Sequence, residues 1–258
     1  FTSAKVIIPC LAGLVLLAAF ARHALRVPNP LLNLRLYRRP TFSTASAATF
    51  FLGAALFGGM ILMPLYWQYV RHESPLDAGL LLAPQGLGML LVMPAVGRLT
   101  DRFGGGPPTL WGVTVTTLAT IPFGLIGAHT SIVWLSVALL IRGTGIGFAF
   151  MPAMTAAFAS LEKSEIADAS PQLNVVQRVG GSLGTAVLAV VLQRALVGAH
   201  GVSGAAAAYG TAFWVSAGLT ALAIIPCVIL LRAERRARAA KGAAADASAD
   251  TMAEAIAA

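Results

Sequence analysis

Residues 79–128 read GLLLAPQGLGMLLVMPAVGRLTDRFGGGPPTLWGVTVTTLATIPFGLIGA. Two uncharged runs, 79–97 and 109–128, flank a turn that holds Arg98, Asp101 and Arg102. Each run supplies roughly the 20 residues that carry a helix across a bilayer core. Only a helix or a closed barrel satisfies its own backbone polar groups in lipid, and strands of this length are improbable. The stretch is therefore a helical hairpin through a membrane, and it sets the class: an all-α, polytopic membrane protein.

Outward from this hairpin, apolar stretches recur at 3–21, 44–69, 131–154, 173–196 and 209–231, so that seven transmembrane helices are expected. Composition agrees, since hydrophobic residues make up 57% of 258. At roughly 20 residues per span this is enough for about seven. Charged residues are only 11%, where a soluble domain carries about 25%, and the mean hydropathy is +0.79. An ordinary soluble domain is excluded. Cys10 and Cys227 lie inside apolar runs and in opposite leaflets, which predicts two free thiols rather than a disulfide scaffold. The first stretch has a second reading, because Lys5, the apolar run and Ala19-Phe20-Ala21 have the form of a signal peptide and its cleavage site.

The net charge of +8 would suit nucleic acid, but its placement argues otherwise. With the C-terminus cytoplasmic, the inner side collects Arg22, Arg26, Arg35, Arg38, Arg39, Arg98, Arg102, Lys163 and the basic run from Arg232 to Lys241. The outer side keeps Lys5, Arg71 and Arg194, and Arg142 and Arg178 fall within spans. This is the positive-inside asymmetry of a multi-pass protein, so no nucleic-acid partner is expected. Trp67, Trp111, Trp134 and Trp214 all lie near span ends, where amphipathic rings favour the headgroup region. Residues 22–40 mix five arginines with Leu31, Leu32, Leu34, Leu36 and Tyr37, as a segment lying on the inner surface would. Beyond Arg232 the tail turns basic and then Ala-rich, and nothing in it demands a fold.

The turn at the centre of the opening stretch, Gly97-Arg98-Leu99-Thr100-Asp101-Arg102-Phe103-Gly104, has the form G-x-L-x-D-R-x-G. It resembles the loop motif of the major facilitator superfamily. An Asp at a helix end can engage a neighbouring helix N-terminus and an Arg, making a charge latch that breaks when helices rock. Pro30-Leu31-Leu32-Asn33-Leu34-Arg35-Leu36-Tyr37, Ser74-Pro75-Leu76-Asp77-Ala78-Gly79 with Pro84, Arg142 to Gly147, and Asn174 to Gly184 are similar to stretches of the fourteen-span drug:proton antiporter family within that superfamily. Together they cover the chain to about residue 197.

The resemblance implies a division of the chain. Residues 1–40 would be a central extra transmembrane helix with a cytoplasmic interfacial linker, 41–232 a C-terminal six-helix bundle of two inverted three-helix repeats, and 233–258 a disordered cytoplasmic tail. The chain opens on Phe1 rather than Met, and the N-terminal half of the same transporter is expected upstream of it, missing from this sequence. The function implied is proton-coupled efflux of amphipathic small molecules across the plasma membrane, with the substrate, protons, the lipid bilayer and the N-terminal half as partners, and with no cofactor or metal.

Site candidates follow. Gly97, Asp101, Arg102 and Gly104 would form the cytoplasmic latch. Arg142 falls roughly 16 Å into the membrane counting from Ser131 at about 1.5 Å per residue, where an unpaired charge is costly. Two roles are open to it, a proton relay or a fastening of the bundle through backbone carbonyls. Of the other polar residues able to line a cavity, Gln68, Gln85, Asn174, Gln177 and Arg178, the candidates are Gln85, Asn174 and Gln177, since Arg178 is close enough to the inner face to snorkel. Gly143 with Gly147, and Gly180 with Gly184, are spaced four apart as helix-packing contacts. No span carries a midplane carboxylate, so the coupling acid is expected in the other half.

Two other functions compete. Seven spans with an external N-terminus also describe a membrane receptor, although Lys5, Lys163 and Lys241 lie outside the spans and leave no Schiff-base lysine. Gly180-Gly181-Ser182-Leu183-Gly184 matches G-x-S-x-G, the pattern of a serine hydrolase. Ser182 is deep in a span, whereas His23, His72, His129 and His200 are in loops or at span ends, so no base is placed to activate it and no enzyme is expected.

Overall fold

The computed structural model describes residues 4–26, 33–159 and 161–236. In chain order it has α1 (Ala4–Arg26), a 3-10 turn (Leu34–Arg38), α2 (Pro40–Tyr69), α3 (Pro75–Leu80), α4 (Ala83–Phe103), α5 (Gly106–Gly124), α6 (Ile132–Phe158), α7 (Lys163–Val197) and α8 (Gly201–Leu222). After a turn at Ala223 the last helix resumes over 224–236. Among the described residues there is no strand.

Five runs are long and apolar enough to cross a bilayer: Pro40–Tyr69, Pro75–Phe103, Ile132–Phe158, Glu165–Val197 and Gly201–Arg236. That is fewer than the seven expected. α5 falls short because threonine, proline and glycine dilute its apolar residues. Its hydroxyls are nevertheless satisfied within the helix, since Thr109, Thr114, Thr116, Thr117 and Thr120 each donate to the carbonyl four residues back at 2.7 to 2.8 Å. α1 supplies the shorter apolar run Leu11–Ala24.

Helix ends also differ from the apolar edges. The run expected at 173–196 starts ten residues earlier, where Glu162 and Glu165 close a capping box on the first turn of α7. The run expected at 79–97 starts at Pro75, with Ser74 capping α3, and bends at Leu81 and Leu82 before α4. Hydropathy marks where lipid begins, whereas caps decide where the helix begins.

Two triples of helices, α2, α4, α5 and α6, α7, α8, exchange partners. α2 packs against α7 as α6 packs against α4, and α5 lies on α6 as α8 lies on α2. At one end Leu62, Tyr66, Trp67, Leu139, Tyr209 and Phe213 form an aromatic-rich core. At the other end Leu36 of the 3-10 turn is buried against Phe42, Leu173 and Leu230, and Tyr37 meets Phe42 edge-on at 5.1 Å. Arg35 and Arg38 of that turn stay exposed; Leu31 and Leu32 lie outside the described residues.

Two expectations need correction. Trp67 is fully buried rather than interfacial, because it lies on the face of α2 that enters the aromatic core; Trp111, Trp134 and Trp214 are about half exposed. Residues 233–236 continue the last helix, and Glu234 is buried. The remainder of the tail, 237–258, lies outside the described residues. Cys227 is a buried free thiol, and the Cys10 side chain is outside the description.

Candidate functional site

Arg142, on α6, is 1% exposed. Its Nη1 donates to Gln85 Oε1 on α4 at 2.8 Å, its Nη2 to the Ala55 carbonyl on α2 at 3.2 Å, and its Nε to Thr120 Oγ1 on α5 at 3.3 Å. One residue of the second triple thus touches all three helices of the first. The Thr120 hydroxyl donates its own proton to Thr116 O at 2.7 Å, which leaves its oxygen free to accept from Arg142. The charge is met by an amide, a hydroxyl and a carbonyl rather than by a carboxylate. Gly59 makes room for it, since a Cβ there would collide with Nη2.

The glycines set the distance between helices. A Cβ on Gly143 would run into the Gln85 carbonyl, and one on Gly88 into the Leu140 carbonyl. The α2–α7 contact repeats this pattern: Gly180 abuts the Phe50 carbonyl and Gly53 the Gln177 carbonyl. Gln85 and Gly88 on α4 therefore match Gln177 and Gly180 on α7, while Leu140 and Gly143 match Phe50 and Gly53. Further along, Gly147 meets Val92 and Gly184 meets Ala54. Gln177 occupies the place of Gln85, but Leu52 stands where Arg142 would, so no second charged node forms. Asn174 is exposed and donates back to Ser170 O at 3.0 Å. Of the four cavity candidates, Arg142 and Gln85 are brought together; Asn174 and Gln177 are apart from them on α7.

The same exchange relates two clefts at opposite ends. Between α2 and α7 a cleft of about 410 Å³ is lined by Ile61, Leu65, Leu188, Leu192 and Gln193. Between α6 and α4 a cleft of about 240 Å³ is lined by Met151, Thr155, Val96, Thr100 and Asp101, with Met89 and Met93 deeper. Asp101 takes the place in one that Gln193 takes in the other.

The loop after α4 joins the second cleft. Gly104 has φ of 83° and ends α4 with its N–H on Thr100 O at 2.8 Å, a positive-φ conformation that glycine adopts without the Cβ penalty of other residues. Asp101 and Arg102 are exposed, and the Arg102 guanidinium lies 5.2 Å from the Phe103 ring centre. Gly97 has open space around it. The carboxylate that reaches the N-terminus of α5 is that of Glu234, which accepts from Gly105 N at 3.1 Å and Gly106 N at 2.6 Å. At the same end Arg39, preceding α2, pairs with Glu165 of α7 at 2.8 Å. At the opposite end Arg71 donates to the Ala128 and Thr130 carbonyls at 3.0 and 2.9 Å, and Tyr66 to Gly127 O at 2.8 Å.

Sequence reasoning missed Thr120, Gly59, Ala55 and Glu234. Thr116 and Thr120, four apart, do mark one polar face of α5. Nothing in the sequence singles out Gly59 or the Ala55 carbonyl, and Glu234 reads as one acid among basic neighbours.

Several apolar helices around a charge held by neutral oxygens define a class, that of multi-pass helical membrane proteins. The chain belongs to the major facilitator superfamily, whose profile matches residues 6–185. That family consists of transporters, not enzymes, so the serine-hydrolase alternative falls away; Ser182 lies on an exposed face of α7. A multidrug resistance protein B homolog of Mycobacterium tuberculosis is 38% identical over 190 residues, 72% of this chain and 35% of that protein. A methylenomycin A resistance protein of Streptomyces coelicolor is 31% identical over 221 residues, 85% of this chain and 45% of that protein. A lincomycin resistance protein of Listeria innocua is 30% identical over 190 residues, 74% of this chain and 40% of that protein. The chain thus spans less than half the length of these relatives.

Proposed function

We propose that the chain is the C-terminal half of a fourteen-span exporter that moves amphipathic organic molecules out of the cell across the plasma membrane in exchange for protons. Residues 41–232 form its six-helix bundle of two inverted three-helix repeats, α1 is the last of the extra central helices, and the C-terminus is cytoplasmic. α1 and α5 complete the count of seven spans. The observation that carries this reading is the pair of clefts at opposite ends, related by the exchange of the two triples, with Arg142 buried between the helices that form them.

Mechanistically, helices that meet through glycine and carbonyl rather than interlocking side chains slide at little steric cost. Rocking opens one cleft as the other closes. Arg142 keeps α6 in register with α2, α4 and α5 during that motion, so its role is positioning. Exposed apolar stripes on α7, at Val175, Val179, Leu183 and Val187, and on α4, at Leu87 and Leu91, face the N-terminal half. Asp101 and Arg102 complete the cytoplasmic latch against that half, while Glu234 fixes the loop that carries them. The proton-binding acid belongs to the other half as well.

The test is expression of the whole transporter in a bacterial strain deprived of its own exporters. Resistance to lipophilic drugs and dye efflux abolished by an uncoupler are expected; neither resistance nor efflux would overturn the substrate class.

A further inference from the structure

A cavity of about 560 Å³ lies at the arginine-rich end of the bundle, between the first turn of α2 and the close of the last helix, lined by Pro40, Thr41, Ile229, Arg232, Ala233 and Arg236. It is separate from both clefts described above. Ile229, Arg232, Ala233 and Arg236 are spaced i, i+3, i+4 and i+7, so they share one face of the last helix. Among the described residues neither Arg232 nor Arg236 is ion-paired. The nearby acid, Glu234, is turned to another face and engages the N-terminus of α5.

Opposite the arginines, α2 begins without a side-chain cap, so the positive end of its dipole faces the cavity. Thr41, 8% exposed, lines the cavity beside Pro40 in the first turn of α2. One turn towards the bilayer interior, Ile229 is 47% exposed and apolar. The cavity is therefore cationic at its polar edge and apolar at its lipid edge.

We infer that this cavity is a binding site for an anionic phospholipid, with the headgroup phosphate between Arg232, Arg236 and the first turn of α2, and an acyl chain along Ile229. Charge complementarity selects an anionic headgroup over a zwitterionic one, and basic pockets between helix ends are where such headgroups bind. The apolar edge selects a lipid over a soluble phosphate. The inference holds whatever substrate the transporter carries.

The purified protein in detergent, titrated with phosphatidylglycerol or phosphatidylcholine and read by native mass spectrometry, tests it. Phosphatidylglycerol should be retained in preference, and Arg232→Gln with Arg236→Gln should weaken it by about fivefold for each charge removed. The Arg232→Lys, Arg236→Lys protein should keep most of the preference. If the double Gln protein does not fold, Arg236→Gln alone decides, with about a fivefold loss expected. Equal retention of the two lipids, or undiminished phosphatidylglycerol binding in the Gln variants, would overturn the site. Displacement of the lipid by millimolar inorganic phosphate would overturn the choice of a lipid over a soluble anion.

Discussion

Arg142 shows how a charge can be kept inside an apolar bundle without an opposite charge. Three neutral oxygens, each from a different helix, take its Nε, Nη1 and Nη2, so truncation would leave a hole and three acceptors short of a donor. Arg142→Ala should cost about 2–4 kcal/mol, seen as a lower melting temperature in detergent, and should abolish efflux while the protein still inserts. Retained efflux would contradict the positioning role. Gly59→Ala reaches the same node from the other side: its Cβ takes the space of Nη2, and efflux should fall with little change in the amount of protein in the membrane. Depth and residue type make Arg142 and Gln85 conspicuous in the sequence. Thr120, Gly59 and the Ala55 carbonyl are not, because they depend on the rotation of α2 and α5 about their axes, which an apolar run of uniform hydropathy leaves unspecified.

Among the elements, the glycine contacts carry the helix spacing, and they do so unequally. Gly143 meets a backbone carbonyl that cannot move aside, whereas Gly97 meets nothing within 4 Å. Gly143→Ala should therefore destabilise the bundle by about 1–3 kcal/mol, and Gly97→Ala should leave its melting temperature unchanged or slightly raised. A fall in efflux for Gly97→Ala at unchanged stability would assign Gly97 to the latch rather than to packing. Glu234→Gln weakens the charge-assisted cap on α5, which should lower stability by about 1 kcal/mol and loosen the loop at Gly105 and Gly106, read as faster backbone hydrogen exchange there. The opening hairpin was legible because hydropathy and a charged turn coincide. The weak apolarity of α5 was concealed by Trp111, Phe123 and its valines, and the start of α7 was concealed because its first turn is polar and fixed by Glu162 and Glu165.

Across the whole molecule, the symmetry between triples is the feature that sequence conveys least. Gln85 and Gly88 repeat as Gln177 and Gly180, and Leu140 and Gly143 as Phe50 and Gly53, yet the intervening residues share little. Only the contacts reveal the correspondence, since packing constrains the residues at closest approach and leaves the remainder free. The departures from symmetry, Arg142 against Leu52 inside the bundle and Asp101 against Gln193 at the two clefts, are where the two triples become chemically distinct. On this account the clefts open in turn while the Arg142 node holds, and proton flow drives the cycle. The most direct measurement is dye movement in proteoliposomes holding the whole transporter under an imposed pH gradient. Dye transport should run opposite to the proton gradient, stop when the gradient is collapsed, and be absent with Arg142→Ala; transport that is indifferent to the gradient, or that survives the loss of Arg142, would contradict the account.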